Sequence, residues 1–170
     1  MAKSTSAGKS AAGKSAADKA RAQDGPIARH KRARFEYHIL ETWEAGIVLT
    51  GTEVKALRAG KATLTDAFGI VKDGEVYLLN LHIGQYEQGN VFNHEPTRTR
   101  KLLLHQKEIR RMIGAVEREG LTLVPLELYL KNGRVKVALA LAKGKKEHDK
   151  REDLRRKDDE REMARVARAR

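Results

Sequence analysis

The dipeptide Asn132-Gly133 stands between two runs of alternating apolar and polar residues, Leu121–Lys131 and Arg134–Ala142, and constrains the chain more tightly than any other feature. A two-residue connection that matches the twist of its flanking strands needs positive φ at both central positions, which Asn and Gly adopt at low cost. The segment therefore reads as an antiparallel hairpin, with Val135, Val137, Leu139 and Leu141 on one face. Asp73-Gly74 repeats the device between Ile70–Lys72 and Glu75–Leu81.

Other strands and helices follow from spacing. Regular structure is expected from Phe35, where Phe35, Tyr37 and Ile39 alternate with Glu36, His38 and Leu40, and Gly46–Thr50 gives a second short apolar run. Val54 and Leu57, bounded by Thr52 as N-cap and Gly60 as stop signal, predict a helix of about two turns. Ile109, Met112, Ile113 and Val116 before Gly120 predict an amphipathic helix with its apolar stripe inward. Between them, residues 84–101 form an irregular loop ending in Arg98, Arg100 and Lys101, a basic cluster placed to clamp a phosphate backbone. About six strands joined by hairpins, with single helices between them, predict an α+β, mainly β domain. Curling into a small antiparallel barrel of the oligonucleotide/oligosaccharide-binding (OB-like) type would leave no open sheet edges.

Charge is distributed unevenly. Residues 1–34 carry nine basic and two acidic side chains, residues 35–141 fourteen and thirteen, and residues 142–170 twelve and eight, excesses of +7, +1 and +4 within a net charge of +12. Basic arms flanking a nearly neutral platform suit a polyanionic partner, nucleic acid first; the alternative is that charged ends only keep the chain in solution. Residues 1–26 form a low-complexity head in which Ala-Gly-Lys-Ser-Ala repeats, and such a composition predicts disorder. It contains a P-loop-like run, Gly8-x4-Gly13-Lys14-Ser15, without the preceding core strand or the following amphipathic helix that would fix backbone N–H groups around phosphates. Residues 27–142 are the expected domain and 143–170 a basic tail, disordered alone or helical when bound.

Chemistry has few candidate groups. There is no cysteine, which removes thiolate catalysis, thiolate metal sites and disulfides and fits a reducing cytoplasm. The histidines at 30, 38, 82, 94, 105 and 148 have no metal-ligand spacing, and no G-x-S-x-G elbow occurs. Neither a signal peptide nor an apolar run of the roughly 20 residues that span a bilayer is present. The expectation is a soluble binding protein without cofactor, metal or membrane; the main rival to any particular RNA partner is another RNA-binding or ribosome-associated OB-like protein, and the rival class is an unrecognised hydrolase on a small barrel.

Four ordered blocks carry a family resemblance: Glu44-Ala-Gly-Ile-Val-Leu-Thr-Gly-Thr-Glu-Val-Lys-Ala-Leu-Arg-Ala-Gly-Lys61, Tyr86-Glu-Gln-Gly-Asn90, Pro96-Thr-Arg-Thr-Arg-Lys-Leu-Leu-Leu104 and Gly144-Lys-Lys-Glu-His-Asp-Lys-Arg151. From about Ile27 to the C-terminus the chain resembles the SmpB family, the partner of transfer-messenger RNA (tmRNA, SsrA) in trans-translation. The resemblance implies an OB-like barrel that binds the tRNA-like domain of that RNA and delivers it to stalled ribosomes. Elongation factor Tu would join only through the RNA. Where the family shows Asn-Lys-x-Ala-Arg, this chain has His30-Lys31-Arg32-Ala33-Arg34, which puts the asparagine's contact in doubt.

The implied RNA surface includes Glu44, Leu103 and His105, joined by the basic Lys31, Arg32, Arg34, Arg98, Arg100 and Lys101. A carboxylate repels phosphate, so Glu44 must accept hydrogen bonds from base or ribose groups or orient a neighbouring cation. The implied tail set is Lys143, Lys145, Lys146, His148, Asp149, Lys150 and Arg151. In the family the tail occupies the empty messenger channel and the decoding centre, with His148 stacking on a base and the cations neutralising phosphate. Leu154, Met163 and Val166 are too few to pack the tail onto the domain.

Overall fold

The computed structural model describes residues 24–168; the low-complexity head to residue 23, with its P-loop-like run, lies outside the described residues, as do the last two. In chain order the elements are β1 (Gly25–Arg29), α1 (Ala33–Glu36), β2 (Tyr37–Ile47), α2 (Gly51–Arg58), β3 (Ala62–Thr63), β4 (Phe68–Lys72), β5 (Glu75–Leu79), β6 (His82–Ile83), a 3-10 segment (Glu87–Phe92), β7 (Arg100–Leu103), α3 (Gln106–Glu119), β8 (Thr122–Lys131), β9 (Arg134–Gly144) and α4 (Glu147–Arg168).

Both tight hairpins form where positive φ is affordable, at Asp73-Gly74 and Asn132-Gly133. Strands β8, β4, β5, β7, β2 and β9 pair in that order, and β9 returns to β8, so the antiparallel sheet closes into a ring. Closure between β4 and β8 rests on Gly69 opposite Leu123, where any Cβ would meet that of Leu123 at 2.7 Å. Strand β1 adds to β8, and β3 with β6 forms a separate two-stranded pair.

Inside the ring, alternate residues of each strand fill one core: Trp43, Val76, Leu78, Leu102, Leu128, Val137 and Leu139, joined by Ala56 and Leu57 of α2 and Ile109 and Met112 of α3. A fully buried leucine of this kind contributes about 1.5–3 kcal/mol. Val135, Val137, Leu139 and Leu141 all face inward, as their alternation requires.

Several expectations need correction. Among the described residues, regular structure starts at Gly25, ahead of Phe35, and Phe35 lies in the helical turn α1. The two runs expected around residues 35–40 and 46–50 contribute to one strand, β2, which takes in residues 37–40 and 46–47 with a register shift between Ile39 and Glu41, while residues 48–50 lie beyond its end. Helix α2 is capped by Thr50, whose backbone N–H donates to Glu53 Oε2 at 2.8 Å. Thr52 instead shares a hydrogen bond with Nδ1 of the buried His94 at 3.1 Å, while His94 Nε2 lies 3.0 Å from the Ile83 carbonyl. The last strand runs to Gly144, two residues past the expected domain end.

Candidate nucleic-acid interface

Strand pairing brings residues far apart in sequence into one outward-facing row. Leu103 of β7 lies opposite Gly46 of β2, Gly46 opposite Lys136 of β9, and Lys136 opposite Tyr129 of β8. Gly46 leaves a gap in that row, and a Cβ there would stand 3.2 Å from Leu103 Cβ. The gap is the floor of an open groove of about 620 Å³ whose lining includes Glu44, Gly46, Leu103, His105, Arg134 and Lys136. Leu103, 52% exposed, is an apolar wall rather than core. His105 is the N-cap of α3, its backbone N–H donating to Glu108 Oε2 at 2.8 Å, which leaves the exposed imidazole at the rim. Glu44, Leu103 and His105 thus meet in one place.

The groove also explains the acidic residue. Glu44 Oε2 accepts from the Tyr129 hydroxyl at 2.6 Å and from Lys131 Nζ at 2.8 Å, and Oε1 lies 3.8 Å from Lys136 Nζ. These hydrogen bonds, Lys131 first, hold the Glu44 carboxyl below its ordinary value. Burial and then the bond to Glu44 push the Tyr129 hydroxyl up to about 12. Glu44 is therefore an ionised anchor that gathers two lysines and a phenol at the groove edge. Arg134, Lys136, Lys131 and Tyr129 were missed in the sequence. Their signal was the solvent face of the Asn132-Gly133 hairpin, but only the pairing of β2 with β9 carries it to Glu44.

The basic cluster after the long loop is mostly structural. Glu53 is fully buried and accepts from Arg98 Nε at 2.7 Å, Arg98 Nη2 at 2.5 Å and Arg100 Nε at 2.8 Å. The Arg100 guanidinium also donates to the carbonyls of Leu81 (2.6 Å), Arg98 (2.9 Å) and Pro96 (3.1 Å), which fixes the end of the loop. With no exposure, Arg100 cannot meet a phosphate, and the expectation that it would is corrected: in the interior its donors satisfy loop carbonyls and its charge answers Glu53. Arg98 is partly exposed but committed to Glu53. Lys101 pairs with Glu75 and shares the outer face of β7 with Leu103, half its head in solvent.

Lys31, Arg32 and Arg34 are exposed around α1 and do not line the groove; Arg32 pairs with Glu36 at 3.2 Å. In the tail, Lys143, Lys146, His148 and Arg151 are exposed, and Asp149 and Lys150 half-buried. Lys145 departs from the expectation of a free cation: its side chain is only 9% exposed, donating to the Arg34 carbonyl at 2.9 Å and pairing with Asp153. Helix α4 buries no side chain. The Lys and Arg ion pairs within the helix fall at i,i+3, as between Asp153 and Arg156 at 2.9 Å. No described helix is long and apolar enough to cross a membrane.

A ring of antiparallel strands with short helices packed on it, an open groove with an apolar wall and cationic rim, and a charged C-terminal helix define a small, mainly antiparallel β protein. The model of the SmpB protein family matches residues 27–169, and the chain belongs to that family. The SsrA-binding protein of Nostoc sp. (strain PCC 7120) is 60% identical over 141 residues, covering 82% of this chain and 91% of the relative. The SsrA-binding protein of Thermosynechococcus vestitus is 57% identical over 145 residues, covering 85% and 95%. A solved structure described as "tmRNA-SmpB: a journey to the center of the bacterial ribosome" contains a chain 54% identical to this one. That chain superposes with a TM-score of 0.61 over 75% of this chain and 94% of its own length.

Proposed function

We propose that the protein binds the tRNA-like domain of transfer-messenger RNA across the groove face and delivers that RNA to stalled ribosomes in the cytoplasm, acting by shape and charge without a chemical step. The supporting observation is the convergence of Glu44, Leu103 and His105 on one cationic groove in a chain of the SmpB family. An unstacked base would pack on Leu103 above the Gly46 floor, while Lys131, Arg134 and Lys136 take neighbouring phosphates. Glu44 would set the directions of the two lysines. On the ribosome, α4 would enter the vacant messenger path with His148 presented to the decoding centre.

Titration of the isolated tRNA-like domain at a series of salt concentrations tests the groove. Each phosphate contact releases counterions, so replacing Lys131, Arg134 and Lys136 together by Ala should make the slope of log K against log salt shallower by up to about three units. Gly46→Ala adds one Cβ 3.2 Å from Leu103 Cβ, so Leu103 must give way by a few tenths of an ångström, and the raised groove floor should lower affinity several-fold at an unchanged salt slope. His105→Ala should alter discrimination among RNAs with little effect on slope. An unchanged affinity and slope in the triple variant would place the RNA on another face.

A further inference from the structure

Leu103 is flanked on both sides by the same set of side chains. On the groove side, the Glu44 carboxylate of β2 accepts from the Tyr129 hydroxyl at 2.6 Å and from Lys131 Nζ at 2.8 Å. On the other side, the Glu75 carboxylate of β5 accepts from the Tyr77 hydroxyl at 2.7 Å and from Lys101 Nζ. In each set the lysine's bond and then the tyrosine's hold the carboxyl below its ordinary value. Strand register places the second set beside the first. Val76 lies opposite Leu102 with both side chains buried, so the next step along β5 and β7 sets Glu75 beside Leu103, both facing outward. Lys72 of β4 lies opposite Glu75. The outward row that begins at Tyr129 and runs through Lys136, Gly46 and Leu103 therefore continues to Glu75 and Lys72.

The outer face next to this row departs from the usual alternation. Antiparallel strands with one side on a core place apolar residues inward and polar residues outward. Here Gly69, Val76 and Leu78 already fill the inner side of β4 and β5, yet on the outer side Phe68 pairs with Leu79 and Ile70 with Tyr77. Phe68 is exposed and the other three are half-buried. An apolar and aromatic patch bordered by lysines suits the flat face of a nucleobase whose phosphates lie at the border. We propose that the RNA surface extends past Leu103 onto β5 and β4, where Tyr77 and its apolar neighbours take an unstacked base of the same RNA and Lys72 and Lys101 take its phosphates. Glu75 holds Lys101 as Glu44 holds Lys131, and its carboxylate has acceptor sites left for a base amino or ribose hydroxyl group. Leu103, shared by both halves, is then the ridge between two successive contacts. The inference rests on the RNA-binding function proposed above.

Titration of full-length variants with the isolated tRNA-like domain tests the extension. Tyr77→Thr, which keeps a strand-forming residue and removes the ring, should weaken binding about tenfold with the salt slope unchanged. Tyr77→Phe, which keeps the ring, should stay within about threefold. Lys72→Met and Lys101→Met together keep both stems and remove both charges, so the slope should become shallower by up to about two units. Urea midpoints show whether each variant is folded, and the double lysine variant, altered only at the surface, decides the matter if Tyr77→Thr is not. An unchanged affinity in folded Tyr77→Thr, or an unchanged slope in the double variant, would overturn the proposal. The triple replacement of Lys131, Arg134 and Lys136 separates this failure from that of the groove: weakened binding there, with none here, leaves the groove standing and removes the extension. Unchanged RNA binding with impaired tagging would assign the patch to a protein partner on the ribosome and likewise overturn the proposal.

Discussion

Cutting the chain after Lys146 should abolish peptide tagging on stalled ribosomes, a loss of at least about a hundredfold, while leaving the strand ring folded and its affinity for the tRNA-like domain within about twofold. The cut spares Gly144, which pairs with Tyr37, and Lys145, whose backbone completes the ladder. It removes a helix that covers none of the core, so little stability is lost with it. A cut after Ala142 would be a poorer test, since it also strips the partners of Tyr37 and His38 from the end of β2. Within the removed segment, His148→Ala should give a milder defect, because the imidazole is exposed and lies 2.9 Å from the neighbouring Asp149. Tagging assays with purified ribosomes, read beside RNA titrations of the same proteins, check both halves. Normal tagging by the shortened protein would remove the tail from the mechanism.

Glu53→Gln should cost about 3–5 kcal/mol of stability, because it leaves the Arg100 guanidinium buried without its counter-charge. Domains of this size are stable by only about 5–15 kcal/mol in total, so the urea midpoint should fall by a large fraction of its value. Burial alone would push the Glu53 carboxyl up, but hydrogen bonds from Arg98, the Thr50 backbone and Arg100 outweigh it and hold the group at about 2. A carboxyl depressed in the folded state stabilises fully above its unfolded value near 4.5, and that contribution is lost as pH falls toward 2. Stability of the parent should therefore drop with acid through this window, and the drop should be blunted in Glu53→Gln. Lys101→Ala, by contrast, breaks a half-exposed pair and should stay within about 0.5 kcal/mol. An Arg100→Ala protein with an unchanged midpoint and weakened RNA binding would contradict this assignment of the cluster.

What was legible in the sequence was whatever local geometry dictates. Asp73-Gly74 and Asn132-Gly133 demand positive φ and so announce hairpins, and the stripe from Ile109 to Val116 with Gly120 behind it announces α3, whose C-cap is left-handed as expected. Strand β1 was not legible, because Gly25-Pro26-Ile27-Ala28-Arg29 has neither alternation nor length and owes its form to pairing with β8. The same divide runs through the site. Arg98, Arg100 and Lys101 look alike as cations after a loop, and only Glu53, 45 residues before Arg98, withdraws the first two from the surface. Lys145 and Lys146 are adjacent and identical, yet one is withdrawn beside Asp153 and the other is free in solvent. Glu44 found its lysines 87 and 92 positions away through the pairing of β2 with β9, a long-range fact that no local pattern contains.

The most direct measurement of the central claim is the identity of the RNA that travels with the protein. Full-length protein purified from its own cells under low salt, with bound RNA extracted and sequenced, should yield one strongly enriched species with tRNA-like ends and an internal reading frame. The triple replacement of Lys131, Arg134 and Lys136 should lose that enrichment, while the protein cut after Lys146 should keep it. Ribosomal and messenger fragments recovered only in proportion to their abundance would contradict the claim and leave a groove that holds RNA without choosing it.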